Sequence, residues 1–401
     1  MVDRVGPESG GGVGRRIAML LHNDFSGDTR VKREAGTLSS AGWDVTVLCL
    51  RGEGLPDFEQ RGGYAVRRVA DTTKAGWRRP LRKVAESRER MRALVTAALG
   101  LEPDVVHCHD TDTLPAGARV ARATGARLVY DAHELFPDML TGHGRGSRLV
   151  QRYWKRVERR YVPLADLVIT VNEARAGVLK ERYGVKTVVV RSVPDVEPLC
   201  ATDRLRDELA LSSQTPIVLY QGGLIGGRAL ARLVRAMAHV EDAVLVMQGA
   251  GPEESAIRSA ISHAGLEDRV LLTGWVPPGE LHEYACGADV GVVIYENVSL
   301  NNYYAAPNKL YAYLMAGLPM VASDFPGLRE VVAGEGVGVM FDPASEESIA
   351  GAIRDLLGDA DARERMSRTA RELAETRYNW EAESQRLLEA YETLGEGRDR
   401  R

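Results

Sequence analysis

The sequence predicts an α/β protein built from two doubly wound parallel sheets facing across a deep cleft, and three observations carry that expectation. Short apolar runs of strand length recur along the chain, with helix-length segments between most of them. In the first half every run but WDVTVLCL ends in His, Asp, Asn or Glu. A change of charge near Pro194 separates two series of such runs. Residues 1–194 hold 33 Lys/Arg against 23 Asp/Glu, a net of +10, and the rest hold 19 against 33, a net of −14, which sum to the overall −4.

The chain has 401 residues, 44% of them hydrophobic, enough for two globular cores. It contains no run of 18 apolar residues, the length that would suggest a membrane span. Its start, MVDRVGPESGGGVGRR, lacks an apolar signal core and reads as a disordered lead-in over residues 1–14. Cys49, Cys108, Cys200 and Cys286 are far apart with no CxxC pair. That spacing argues against a zinc site or a disulfide framework and favours a reducing, cytoplasmic setting.

The first domain is expected over residues 15–194. Arg16–Leu21 reads as a buried strand, HNDFSGDTR as its exit loop, and Val31–Ala41 as a helix stopped by Gly42. WDVTVLCL completes a βαβ unit, and Asp104–His109, Leu128–His133 and Leu167–Val171 repeat the strand pattern. Ligands of open α/β sheets collect at the carboxyl ends of the strands. His22, Asp24, His109, Asp110, His133, Glu134, Asn172 and Glu173 should therefore ring one cleft.

Residues 195–213 read as a linker, and the second domain as 214–380. Its strands are expected at 216–220, 243–247, 270–274, 290–294, 320–322 and 338–341, followed by a helical, acidic stretch over 345–394. The first of them ends in Gln221-Gly222-Gly223-Leu224-Ile225-Gly226-Gly227-Arg228, whose glycines allow close approach of the backbone to a ligand. Gly249-Ala250-Gly251-Pro252 is a second glycine turn on the same edge. No GKS or GKT follows either turn, so neither is a P-loop, and the GxGxxG dinucleotide pattern is absent.

Tyr303–Ser323, YYAAPNKLYAYLMAGLPMVAS, predicts a short helix with Pro307 at its first position and a stop at Gly317. Asn308, Lys309 and Leu310 then bring a lysine and open backbone N–H groups to the positive end, the chemistry that a phosphate requires. Helix-Gly-Pro-strand connections without any ligand are the structural alternative.

Taken in order, YQGGL…R, a GxGP turn, LTGWVP, PNKLY…AGLPMVAS and DFPGLREVV resemble family 4 glycosyltransferases of the GT-B fold. HND…DTRV, PDVVHCHD and VYDAHELFPD in the first half resemble the same family, so the likeness covers about residues 15–394. It implies two Rossmann-like domains, the acceptor on the first and a nucleotide-diphosphate sugar on the second. It further implies transfer to a hydroxyl with retention of configuration, no cofactor beyond that co-substrate, and no protein-bound metal. Residues 381–394 resemble the family's last helix, which crosses back to the first domain.

By the same resemblance His133 stands near the reacting carbon, Arg228 and Lys309 hold the diphosphate, and Glu330 faces the donor. Gly222, Gly223, Gly249, Gly251, Val276, Asn308 and Leu310 complete the donor side. His22, Asp24, Asp28, His109, Asp110 and Glu134 fall on the acceptor side. Alternatives remain for two of these: His133 as a loop-capping histidine, and Glu330 as a helix N-terminal carboxylate serving the dipole.

The family's two glutamates, eight residues apart, align with Tyr304 and Ala312. A buried carboxylate–diol contact is commonly worth ~1.5–3 kcal/mol. Their replacement keeps open a catalytically impaired donor-binding partner of another transferase, beside a GT-B epimerase. Glu296, Asn301 and Asn302 are nearby polar groups that stand as substitutes. Residues 78–92 carry seven Lys/Arg and two Glu, and residues 145–160 seven and one, the latter with Leu149, Tyr153, Trp154 and Val157 interleaved. Such a face suits an anionic membrane or an anionic lipid-linked acceptor, with solvated Arg-rich helices as the alternative. No nucleic-acid-binding module is present.

Overall fold

The computed structural model describes residues 15–71, 80–139 and 145–396. The lead-in over 1–14 and the beginning of the basic stretch 78–92 lie outside them. The first sheet contains β1 (Arg16–Leu20), β2 (Asp44–Arg51), β3 (Phe58–Arg61), β4 (Tyr64–Asp71), β5 (Val105–His109), β6 (Arg127–Ala132), β7 (Leu167–Thr170) and β8 (Thr187–Val189). Its order is β3-β4-β2-β1-β5-β6-β7-β8. The connecting helices are α1 (Thr29–Ser40), α2 (Pro80–Leu99), α3 (Leu114–Thr124), α4 (Phe136–Met139), α5 (Arg145–Tyr161) and α6 (Glu173–Tyr183).

β1 pairs in parallel with β2 and β5, and β5 with β6, as crossover helices require. β3 is antiparallel to β4, a hairpin that the sequence reading did not recognise. β3, FEQR, has one apolar residue and lies at the sheet edge, and the Arg pair interrupts β4, YAVRRVAD, so neither reads as a buried run.

The helix α7 (Arg204–Glu208) leads into the second sheet, made of β9 (Ile217–Gln221), β10 (Val244–Gln248), β11 (Val270–Gly274), β12 (Val290–Val293), β13 (Met320–Ser323) and β14 (Gly338–Phe341). Between them run α8 (Leu230–Ala236), α9 (Glu254–Ala264), α10 (Leu281–Cys286), α11 (Leu300–Tyr303), α12 (Asn308–Met315) and α13 (Pro326–Val332). α14 (Glu346–Gly358), α15 (Ala360–Thr376) and α16 (Trp380–Glu396) follow. The strand order β11-β10-β9-β12-β13-β14 is that of a Rossmann sheet. The strand order therefore reverses beside β9, and its carboxyl end is where a ligand is expected.

β9, β10, β12 and β13 are buried along their whole length, which is why they read as continuous apolar runs. One polar side chain fixes the end of β9. The Tyr313 hydroxyl, wholly buried, accepts from the Gln221 N–H at 3.0 Å and donates to the Leu219 carbonyl at 3.2 Å. Gly291 on β12 makes room for it, since a Cβ there would lie 2.6 Å from the ring.

Contacts divide the chain into two compact units. One runs to Asp131 and takes in Arg160–Val168 and the chain from Glu392; the other holds Ala132–Arg159 and Ile169–Tyr391. Side chains on α6 and the loop after β6 bond to the segment around α11, as described below, and this places them in the second unit. Among the described residues no helix is long and apolar enough to cross a membrane.

Tyr313→Phe removes the only part of that ring that bonds to β9. The Gln221 N–H then loses its partner in the core, and stability to urea should fall by about 1–3 kcal/mol with the fold retained.

Candidate functional site

The backbone leaves β9 through Gly222, at φ +140°, a conformation that side-chain-bearing residues rarely adopt. A Cβ at this position would lie 3.0 Å from the Lys309 ammonium. Lys309 is half-buried, and its Nζ lies over the Tyr220 ring, 3.5 Å from the centroid. Burial, and secondly the charge of Arg228, hold its pKa well below the ordinary 10.5. Burial also pushes the Tyr220 hydroxyl up to about 12, and the Gly223 carbonyl accepts its proton at 3.0 Å.

Arg228 repeats the arrangement. Its guanidinium carbon stands 3.7 Å from the centre of the Tyr295 ring, and burial lowers its pKa. One of its terminal nitrogens, Nη1, is buried with no hydrogen-bond partner. No carboxylate of the described residues forms an ion pair with Lys309 or with Arg228. Two desolvated cations at the carboxyl end of β9, of which only Arg228 feels a nearby carboxylate, that of Glu134, make a site suited to an anion.

One detail of the expected geometry changes. Pro307 caps α12 in an extended conformation and the helix begins at Asn308, so the proline precedes the first helical position. Arg228 stands two residues ahead of α8, with Ala229 between them in the left-handed conformation at φ 47°. The Leu310 N–H bonds to the Pro307 carbonyl at 3.0 Å and its side chain is in the core, which leaves Leu310 nothing to offer a ligand. Asn308 and Lys309 retain the open N–H groups that begin any α-helix.

Arg175, absent from the expected site, organises its other side. Asn172 caps α6 by accepting from the Arg175 N–H at 2.8 Å. The buried Arg175 guanidinium donates to the Tyr304 carbonyl at 2.9 Å, to Glu134 Oε2 at 2.7 Å, to Asn301 Oδ1 at 3.1 Å and to the His133 carbonyl. Asn301 also accepts from the Leu135 N–H at 2.9 Å. The loop carrying His133 and Glu134 is thus clamped to α11. The capping Asn172, three residues ahead of an arginine, was the signal available in sequence.

Asn302 and Glu296 have structural partners. Asn302 donates to the carbonyls of Gly227 at 3.0 Å and Glu296 at 3.2 Å, fixing the turn before Arg228. Glu296 pairs with Arg232 at 3.2 Å. Tyr304 and Ala312 are half-buried, and the Tyr304 ring packs on Tyr303 at 5.1 Å.

The second glycine turn serves the first. A Cβ on Gly249 would lie 1.9 Å from the Gly222 carbonyl, and one on Gly251 2.3 Å from that of Leu224. The turns are joined by Gly222 N–H to Gln248 and Leu224 N–H to Ala250, at 2.9 and 3.0 Å. These glycines are therefore required by protein backbone, not by a ligand's approach. Gly223 meets only Ile225, at 3.5 Å, and faces solvent. Val276 is half-buried after Gly274, beside the exposed Trp275.

Glu330 is fifth in the seven-residue α13, past the first turn, so the dipole does not account for it. It pairs with Arg191 at 3.1 Å, and Arg191 also bonds Glu383 at 3.2 Å.

Of the residues expected on the acceptor side, Glu134 belongs to the second unit, and the others fall into two groups within the first. His22 Nδ1 meets Asp112 at 2.8 Å and stays half-exposed. Asp24 accepts from the Ser26 hydroxyl at 2.6 Å, which with the Ser26 N–H holds its carboxyl below its usual range. Asp28 caps α1 through the Val31 N–H at 3.2 Å. His109 is not on a rim. It is 3% exposed, stacked on His107 at 4.3 Å and 3.5 Å from Asp131, in a nest completed by Glu34 and Arg30. Asp110 follows it with φ 61°.

The cysteine reading changes too. Cys200 and Cys286, distant in sequence, come together with His282, while Cys49 and Cys108 are buried apart from them. On the surface of α5, Leu149 and Tyr153 are 66% and 57% exposed beside exposed Arg148, Arg152 and Arg156.

Comparison with known proteins agrees with this architecture. The model of Glycosyltransferase Family 4 matches residues 28–195, and that of Glycosyl transferases group 1 matches residues 201–373. A D-inositol 3-phosphate glycosyltransferase of Xylanimonas cellulosilytica is 28% identical over 306 residues, 72% of this chain and 71% of that protein. Sucrose-phosphate synthase of Thermosynechococcus elongatus superposes with a TM-score of 0.81 at 20% identity, over 96% of this chain and all of the other. Anabaena HepE, solved in complex with UDP and glucose, gives 0.73 at 18% identity, over 94% and 100%. The chain has the GT-B fold and belongs to the family 4-like glycosyltransferases.

Gly222→Ala forces a Cβ into a strained φ and onto the Lys309 ammonium. Its cost should be about 1–3 kcal/mol in chemical unfolding, whereas Gly223→Ala should leave stability within about 0.5 kcal/mol of the parent.

Proposed function

We propose that this glycosyltransferase takes its sugar from a nucleoside-diphosphate sugar and transfers it to a hydroxyl acceptor with retention of configuration. The observation that carries the reading is the pair Lys309 and Arg228, each desolvated over a tyrosine ring and neither ion-paired. A cation so placed gains most from a ligand that brings compensating negative charge. The diphosphate leaving group is such a ligand, and its charge grows as the glycosidic bond breaks. Anabaena HepE, solved in complex with UDP and with UDP-glucose, supports the same donor class. In this reading a hexose is carried, His133 lies near the reacting carbon on the loop that Arg175 clamps, and Glu134 balances Arg228.

The replacement of two family glutamates by Tyr304 and Ala312 favours one rival, a donor-binding partner without turnover. Incubation with a panel of nucleotide sugars separates the two. Slow release of free sugar and nucleoside diphosphate is expected, and tight binding with no release would establish the rival. Lys309→Ala should weaken nucleoside diphosphate binding about 10- to 150-fold, the loss of a ~1.5–3 kcal/mol charged contact, by calorimetry. An unchanged affinity would overturn the phosphate assignment.

The affinity should also depend on pH. The free site holds the Lys309 pKa below 10.5, and a bound diphosphate restores it, so binding takes up a proton once pH exceeds the free-site value. Affinity is then constant below that value and declines as pH rises through it toward 10.5. In Lys309→Arg, which stays charged, this decline should vanish.

The α5 face, with exposed Leu149 and Tyr153 between arginines, supports a peripheral contact with anionic membrane and an anionic or lipid-linked acceptor. The protein should sediment with anionic vesicles at low salt and be released as salt rises; equal recovery with neutral vesicles would sink the contact.

A further inference from the structure

We infer that Cys200, His282 and Cys286 form a binding site for a soft divalent ion of the zinc class, which clips the linker between the two family-matched regions onto α10. One ligand atom from each residue lies within 4.8 Å of the other two. His282 and Cys286 are four residues apart on α10, so the helix presents both on one face. Cys200 arrives from the extended segment before α7.

The spacing suits an ion between them. Zn–S bonds of about 2.3 Å and Zn–N bonds of about 2.0–2.1 Å at tetrahedral angles set an S···N edge of about 3.5 Å. The Cys286 Sγ···His282 Nε2 distance is 3.6 Å. The Pro198 carbonyl stands 2.8 Å from His282 Nε2 and 3.7 Å from Cys200 Sγ, an oxygen within reach of the fourth position, which water would otherwise fill. Binding releases the proton of each thiol to solvent, while the imidazole binds neutral through Nε2 and carries its one proton on Nδ1. Two thiolates and an imidazole select a borderline-soft ion over magnesium or calcium.

The cysteine is not brought there by chance of a loose segment. Arg204 pairs with Glu283 at 2.9 Å and with Glu280, and stacks on the Tyr284 ring at 4.4 Å. Arg206 donates to the Gly287 carbonyl at 2.7 Å and pairs with Asp289 at 2.8 Å. These bonds hold residues 204–206, just beyond Cys200, against α10 and its exit without any metal, which limits how far Cys200 strays from His282 and Cys286. The other end of α10 touches the donor side, where the Gln221 amide donates to the Leu281 carbonyl at 2.9 Å. An ion at this place would stiffen the support of the β9 turn while staying out of the transfer chemistry.

Purified, untagged full-length protein tests the site. Added Co(II) should give a thiolate-to-metal charge-transfer band with one ion per chain, bleached by Zn(II). Zn(II) should protect two thiols from a disulfide reagent. Cys200→Ser lies outside any helix or strand and should abolish both effects with an unchanged circular dichroism spectrum; Cys49→Ala should change neither. His282→Ala and Cys286→Ser should match Cys200→Ser. Absence of the charge-transfer band in the parent chain, its persistence in Cys200→Ser, or isolation of the chain with a Cys200–Cys286 disulfide and no metal uptake would each overturn the inference.

Discussion

A lysine ammonium enclosed against the Tyr220 ring, with no carboxylate beside it, is the constraint on which the second unit is arranged. Enclosing a charge costs free energy unless something compensates it, and the surroundings are shaped to tolerate it. Gly222 gives up its side chain for the ammonium, Gly249 gives up its own for Gly222, and Tyr313 secures the strand end beneath. Arg228 adds a second cation on a second tyrosine. The fold spends local stability on a place where an anion is the missing partner.

The other half of the constellation is held by one arginine. Arg175 satisfies the carbonyls of His133 and Tyr304 and the side chains of Glu134 and Asn301 at once. A guanidinium presents five donors in a fixed plane, so it can set several loop segments in one geometry where a lysine would not. Asn301 and Asn302 extend the clamp, one to the loop after β6 and the other to the turn before Arg228. Polar residues that stand near a lost glutamate in sequence thus have positions fixed by backbone bonding.

Carboxylates that look alike in sequence separate by environment. Asp28 is a helix cap, Asp24 closes a turn, and Glu330 balances the buried Arg191. Histidines divide the same way: His109 belongs to a buried polar nest, and His22 stays half-exposed beside Asp112. His282 joins two cysteines. Residue type narrows the chemistry, and the partner decides the role.

The sequence by itself determined the two sheets, five of the eight strands of the first and all six of the second, the charge change near Pro194 and the two glycine turns. Strands buried on both faces appear as apolar runs, and glycines mark turns, because burial and φ are local demands that each residue meets alone. It also singled out Lys309 and Arg228, whose places follow from the end of β9. Only the tertiary structure decided what Arg175 holds, why Gly249 and Gly251 must be glycine, that His109 is inside, and that Cys200 meets Cys286. The edge hairpin β3–β4 was missed for want of a buried run. These features depend on side chains and backbone brought together from distant parts of the chain, and no local pattern of residues records which distant atom will fill a given space.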